Sequence, residues 1–194
     1  MKKMFICGIA SILAIPFSIM IFFMFLGNPG SSGGTTGEVV PSETQQGFID
    51  AVVPIAQETY REYGVFPSIT LAQAILESAW GKSGLAIEAN NLFGIKADPS
   101  WQGQVLELPT QEHVDGGFIT IIARWRVYPT WQGSIKDHGK FLKENSRYAA
   151  AGVFNAKNYI EQANTLQQAG YATDPIYAKQ LCSLIECYGL QKFD

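Results

Sequence analysis

The sequence is poor in charge, in cysteine and in histidine, and each shortage removes a class of protein. Only 16% of the 194 residues are Asp, Glu, Lys or Arg, and residues 4–37 carry none. Basic residues are few past Lys3: residues 38–194 hold 12 of them against 17 acids, a formal charge of −5. A protein held on nucleic acid by phosphate contacts needs the opposite balance, so no such partner is expected. Three cysteines cannot build a disulfide framework. Cys7 stands in an apolar run, too near the start for lipoprotein acylation, whereas Cys182 and Cys187 are five apart, about 140° around a helix. That is poor geometry for a bridge, and both are expected to be buried thiols. His113 and His138 have no Cys or His partner at metal-ligand spacing, so neither a metal nor another cofactor is expected.

What is present begins with an apolar run over residues 4–26, broken only by small residues and Pro16. As a helix it would be about 35 Å long, enough to cross a hydrocarbon core of ~30 Å. Lys2 and Lys3 precede it, so the positive-inside bias keeps the N-terminus cytoplasmic and carries the rest across. A cleaved signal peptide is the rival reading, but its apolar stretch is usually shorter and ends at a small-x-small site. The exit here reads Phe25-Leu26-Gly27-Asn28-Pro29-Gly30, a poor cleavage site. Residues 1–26 are therefore expected to be a transmembrane anchor; cleavage would instead release a secreted domain. Residues 27–42, of which twelve are Gly, Ser, Thr or Pro, bury too little surface to fold and form a linker.

Residues 43–194 suit one compact domain. Ser42-Glu43-Thr44-Gln45 resembles a capping box, and Phe48, Val52, Ile55, Ala56 and Tyr60 follow at helical spacing to about Tyr63, with Gly64 as the stop. Pro67-Ser68 opens a second helix through Trp80, closed by Gly81 and Gly84. From Trp101 to about Tyr128 the period changes, predicting two short strands joined by a polar loop containing Asp115-Gly116-Gly117. Helices over about 132–145, 157–169 and 174–188 complete the chain, the last with Asp174 as N-cap, Pro175 at N1 and Gly189 at its exit. Five helices around a small hairpin make an α+β domain in which helices dominate.

The second helix carries the best candidate for chemistry. Leu71-Ala72-Gln73-Ala74-Ile75-Leu76-Glu77-Ser78-Ala79-Trp80-Gly81 is apolar at nearly every position, with Glu77 among them. Such a carboxylate either meets solvent at the helix edge or sits desolvated in a cleft, where its pKa rises and a proton stays available near neutrality.

That segment, with Asn90-Asn91-Leu92-Phe93-Gly94-Ile95-Lys96 and Ala169-Gly170-Tyr171-Ala172-Thr173-Asp174-Pro175, resembles the three signatures of glycoside hydrolase family 73. These are bacterial peptidoglycan N-acetylglucosaminidases of lysozyme-like fold, and the resemblance covers essentially all of residues 43–194. It implies a general acid at Glu77 and a second carboxylate at Glu112, within the matched Thr110-Gln111-Glu112. It also implies a substrate-positioning tyrosine at Tyr171, and Asn91 and Phe93 at the cleft floor, where packing and turn formation explain them equally well. Glu107, in an alternating strand, and Asp115, in the turn, are explained by solvation. Of Trp101, Trp125 and Trp131, which are commonly buried for packing, Trp125 is the best aromatic candidate for stacking on sugar. Trp80 is expected to close the active-site helix.

The resemblance implies an endo-β-N-acetylglucosaminidase whose partners are peptidoglycan glycan strands, and the apolar run, which lies outside the resemblance, makes it membrane-tethered and outward-facing. It would cut the β-1,4 bond on the reducing side of N-acetylglucosamine. A muramidase or lytic transglycosylase of the same fold, or a non-catalytic wall-binding module on a tether, are the alternatives.

Overall fold

The computed structural model describes residues 42–114 and 117–194, with backbone alone for 111–114 and 117–119. The apolar run 4–26 and nearly all of the linker 27–42 lie outside the described residues. Among the described residues no helix is long and apolar enough to cross a membrane.

Helix α1, Glu43–Tyr63, starts where its capping box predicts. The Gln45 N–H donates to Ser42 Oγ while the Gln45 side chain accepts from the Ser42 N–H at 2.9 Å. It ends at Gly64, whose φ of 77° permits the left-handed turn that lets its N–H close on the Tyr60 carbonyl. Phe48, Ile49, Val52, Ile55 and Ala56 form its buried face.

Helix α2, Pro67–Ser78, is the centre of the molecule: Pro67 to Ile75 are all buried, so no face of those two turns meets water. It has Pro67 at its start and no cap from its own flank. The Asp194 carboxylate fills that place from 126 residues away, accepting from the Ser68 N–H and Ser68 Oγ, each at 2.8 Å. The helix stops two residues earlier than predicted. Ala79, Trp80 and Gly81 are all left-handed, at φ 50°, 62° and 75°, and the Ser78 hydroxyl accepts the Gly81 N–H at 2.7 Å. A side chain at Gly81 would strike the Trp131 ring at 2.6 Å. Gly84 does not close α2 but opens a short helix α3, Gly84–Glu88, capped by Ser83.

Strands β1, Val105–Val114, and β2, Gly117–Arg126, pair antiparallel from Val105↔Arg126 to Val114↔Gly117. At ten residues each they are longer than the expected short strands. Glu112 consequently lies in β1 opposite Ile119, not in a loop, because the ladder runs in register to the tip. The root of this hairpin is held firmly. The Ala97 N–H reaches the Arg124 carbonyl at 2.8 Å, and the Arg126 N–H reaches the Ile95 carbonyl at 3.0 Å. The buried Arg126 guanidinium pairs with Asp137 at 2.7 Å, contacts Asp98, and lies 4.7 Å over the Trp101 ring. Asp137 belongs to helix α4, Trp131–Glu144, so the hairpin is bolted to the helical body at one end.

The remainder is helical: α5, Ser146–Ala150; a 3-10 turn, Val153–Asn155; α6, Tyr159–Gln168; α7, Tyr177–Cys187; and a 3-10 turn, Leu190–Phe193. Helix α7 begins at Tyr177, three residues after the predicted N-cap. Asp174 spends its carboxylate on the Ile176 N–H at 2.9 Å, making a turn that precedes the helix instead of capping it. Cys182 and Cys187 are free thiols, half-buried rather than fully buried. Helices α1, α6, α7 and the Leu190–Phe193 turn pack around α2, giving a predominantly helical body with one two-stranded antiparallel sheet.

Candidate active site

Glu77 stands on the last turn of α2, half-buried at its surface and backed by the apolar core. Burial pushes its pKa up to about 7, against the opposing pull of a hydrogen bond from Tyr177. Near neutrality a substantial share of this carboxyl therefore keeps its proton, as a general acid must.

The groups around Glu77 form a connected set. Tyr177 Oη donates to Glu77 Oε1 at 3.2 Å and receives Gln73 Nε2 at 3.0 Å. Gln73 sits one helical turn before Glu77, so the two share a face of α2. Tyr171 stacks on Tyr177 with ring centroids 5.5 Å apart, and its hydroxyl lies 3.2 Å from His138 Nε2. Burial and the charge of Glu77 drive both phenols well above their ordinary range, so both stay protonated. His138, fully buried, is depressed to about 3 by desolvation and is neutral at working pH.

Glu77 and Tyr171 are thus brought together, with Tyr177 between them. Glu112 is on the other lobe, near the tip of the hairpin. The remaining candidates support the site from behind. Asn91, 1% exposed, gives its amide N–H groups to the Ile95 carbonyl at 3.0 Å and the Arg126 carbonyl at 2.9 Å. Its oxygen accepts the Ile95 N–H at 3.0 Å, so the side chain ties the loop to the hairpin root. Phe93 has no exposed surface and stacks on His138 at 3.9 Å. Trp125 is 7% exposed, paired with Leu106 across the ladder, with the Lys96 ammonium 5.6 Å from its ring. In this structure all three side chains are buried and engaged in packing or in fixing the backbone. Trp80 does close α2, edge-on to Tyr188 at 4.9 Å and Phe48 at 5.9 Å.

Sequence reasoning missed Tyr177, Gln73 and His138 as parts of the site. The signals were present but weak: Gln73 is spaced four before Glu77, and Tyr177 follows the Asp174-Pro175 turn by two residues. Among the described residues no group of three or more His, Cys, Asp or Glu is placed to hold a metal ion.

A desolvated carboxyl on a buried helix, in a predominantly helical body that carries one two-stranded hairpin, fits a lysozyme-like glycoside hydrolase. Comparison with known proteins makes this specific. The sequence model of the glucosaminidase family, described as mannosyl-glycoprotein endo-β-N-acetylglucosaminidase, matches residues 53–190, and the chain belongs to that family. The chain is 37% identical over 196 residues to the exo-glucosaminidase LytG of Bacillus subtilis, covering 100% of this chain and 68% of that protein. It is 40% identical over 135 residues to the peptidoglycan hydrolase FlgJ of Escherichia coli K12, covering 68% of this chain but 42% of FlgJ. The catalytic domain of the autolysin Auto from Listeria monocytogenes superposes with a TM-score of 0.71 at 36% identity, covering 80% of this chain and 90% of that domain. The fold is accordingly that of the lysozyme-like glucosaminidases, and the chain is a glycoside hydrolase.

Proposed function

We propose that this glucosaminidase hydrolyses peptidoglycan glycan strands, cutting the β-1,4 bond on the reducing side of N-acetylglucosamine within the strand. The observation that carries the reading is Glu77, a carboxyl held partly protonated near pH 7 by burial and fixed by Tyr177. Cleavage needs a proton on the leaving oxygen and a partner for the positive charge that develops at the anomeric carbon. Glu77 supplies the first. Glu112, on the hairpin lobe, supplies the second. It does so either by activating water, a geometry needing carboxyls about 6.5–9.5 Å apart, or by orienting the substrate's own 2-acetamido group as internal nucleophile. The polyanionic wall meets a protein of net negative charge, so binding rests on sugar contacts and shape more than on attraction between charges.

Digestion of purified cell wall tests this directly. New reducing ends of N-acetylglucosamine support the reading; reducing N-acetylmuramic acid or anhydro ends would assign the chain to a muramidase or lytic transglycosylase. A second reading, release of units from strand ends, is favoured by the similarity to an exo-glucosaminidase, which spans this chain and 68% of that protein. The size of early products separates the two, since internal cuts shorten long strands at once whereas end-trimming liberates small fragments first.

We also infer that residues 4–26 anchor the enzyme in the cell membrane, with residues 27–42 as tether and the catalytic domain facing the wall. The charge-free apolar run behind Lys2 and Lys3 supports this. Fractionation of cells tests it: recovery in the membrane fraction is expected, and recovery mainly as a soluble form starting near residue 27 would replace the anchor by a cleaved leader.

A further inference from the structure

Gln73 has no surface exposed to solvent and is a poor choice for filling apolar space, since a buried amide must find partners or cost free energy. It finds one: Nε2 donates to Tyr177 Oη at 3.0 Å, while its Oε1 is buried without a partner. A side chain kept in the core at that cost is spent on the tyrosine hydroxyl. Tyr177 is 2% exposed, and its ring is clamped by Tyr171 at 5.5 Å. Its backbone is pinned as well. Gln167 Oε1 accepts the Ala178 N–H at 2.8 Å and Gln167 Nε2 donates to the Pro175 carbonyl at 3.0 Å, fixing the entrance to α7.

A phenol has one proton to give. With the Gln73 amide already donating to Tyr177 Oη, that proton points at Glu77 Oε1, 3.2 Å away. Oε1 is then an acceptor, and the carboxyl's own proton belongs on Oε2.

We propose that Gln73 and Tyr177 are positioning residues that fix which oxygen of Glu77 carries the transferable proton and receive the charge left after it departs. The proposal rests on the reading of Glu77 as general acid. When Glu77 gives its proton to the glycosidic oxygen, the O–H bond breaks, a carboxylate forms, and the Tyr177 hydroxyl is already aimed at it. A donor that strengthens as charge develops acts on the transition state and therefore on kcat, leaving KM nearly alone. Among the described residues, Glu77 and Tyr171, the latter from the connection between α6 and α7, face this pair directly; His138 reaches it from α4 through Tyr171, and Arg147 from α5 through Tyr148, to whose hydroxyl it donates at 2.5 Å.

The experiment is a pH profile of kcat and KM on purified glycan strands for wild type, Tyr177→Phe, Gln73→Met and the double variant, with Glu77→Gln in parallel. A hydrogen bond to a charged group is worth enough that Tyr177→Phe should lower kcat by ~10–100-fold, with KM within about twofold. The basic limb should move to higher pH, because the donor that favoured the carboxylate is gone. Gln73→Met keeps every ring in place and should lose roughly 3–10-fold in the same direction, since the hydroxyl is present but no longer directed. The double variant should match Tyr177→Phe alone, because Gln73 works only through Tyr177. Should Tyr177→Phe fail to fold, the limb shift in Gln73→Met carries the test. Wild-type kcat with an unmoved limb, or losses that multiply in the double variant, would overturn the proposal. Activity in Glu77→Gln would instead overturn the reading beneath it.

Discussion

The two candidate carboxylates stand in opposite settings. Glu77 grows from a helix with two turns buried on every face, capped from afar by Asp194 and enclosed by α1, α6 and α7. Glu112 is carried on a hairpin of two strands that pair only with each other along most of their length, bearing exposed side chains such as Ile122 at 63%. The first setting removes water from a carboxyl and holds it in one place. The second extends a strand pair from a root tied down by Arg126 and leaves much of it to solvent. On the proposed mechanism, an acid that must keep its proton and a carboxylate that must stay ionised need different surroundings, and the two candidates are carried by different regions of the fold.

Four substitutions probe this division, and the largest effect belongs to the buried side. Glu77→Gln should remove turnover by 10³-fold or more, measured as reducing ends released from glycan strands. The same change should stabilise the fold at high pH. Because the folded pKa of Glu77 is raised to about 7 from 4.5, its ionisation is costlier in the folded state, and stability is lost as pH rises through that range. Chemical denaturation at pH 8.5 should show the variant ahead by about 2 kcal/mol, allowing for partial solvent contact, with the difference vanishing below pH 4. Glu112→Gln should cost less, roughly 10–100-fold, and azide should partly restore the rate if Glu112 activates water. Full activity would take Glu112 out of the mechanism.

At the root of the hairpin, Arg126→Met strips the ion-pair partner from half-buried Asp137, which keeps only the Tyr128 hydroxyl, and should cost about 2 kcal/mol in denaturant unfolding. Activity measured well below the melting temperature should fall with it, since the arm bearing Glu112 loses its bolt to α4. The smallest effect belongs to the surface of the arm. Glu107 and Arg124 approach to 3.7 Å with side chains 62% and 59% exposed, so Glu107→Gln should change stability by less than about 0.5 kcal/mol. A larger loss would mean that the arm depends on its own surface and not on its root.

Legibility in the sequence followed the range of the interactions. The capping box at Ser42, the left-handed stops at Gly64 and Gly189, and the helical stretches were readable because each depends on neighbours a few residues away. The start of α7 was misplaced because an Asp two residues before an N–H makes the same local hydrogen bond in a turn as at a cap. The hairpin was read too short, since nothing local fixes how far a ladder of two strands continues. The acid was legible as a polar residue in an apolar helix. Its donor was not, because Tyr177 lies 100 residues away, and neither was the cap on α2, which comes from 126 residues away. Asn91 and Phe93 fell in the right motif, yet their burial depends on what α4 and β2 place over them.

The central claim is that burial keeps Glu77 protonated near neutrality, and carboxyl carbon NMR titration of the wild type beside Glu77→Gln measures it. One resonance with a pKa near 7, absent from the variant, is the predicted result. A spectrum in which every carboxyl titrates below about pH 5, identical in the two proteins but for a resonance of ordinary pKa, would contradict it.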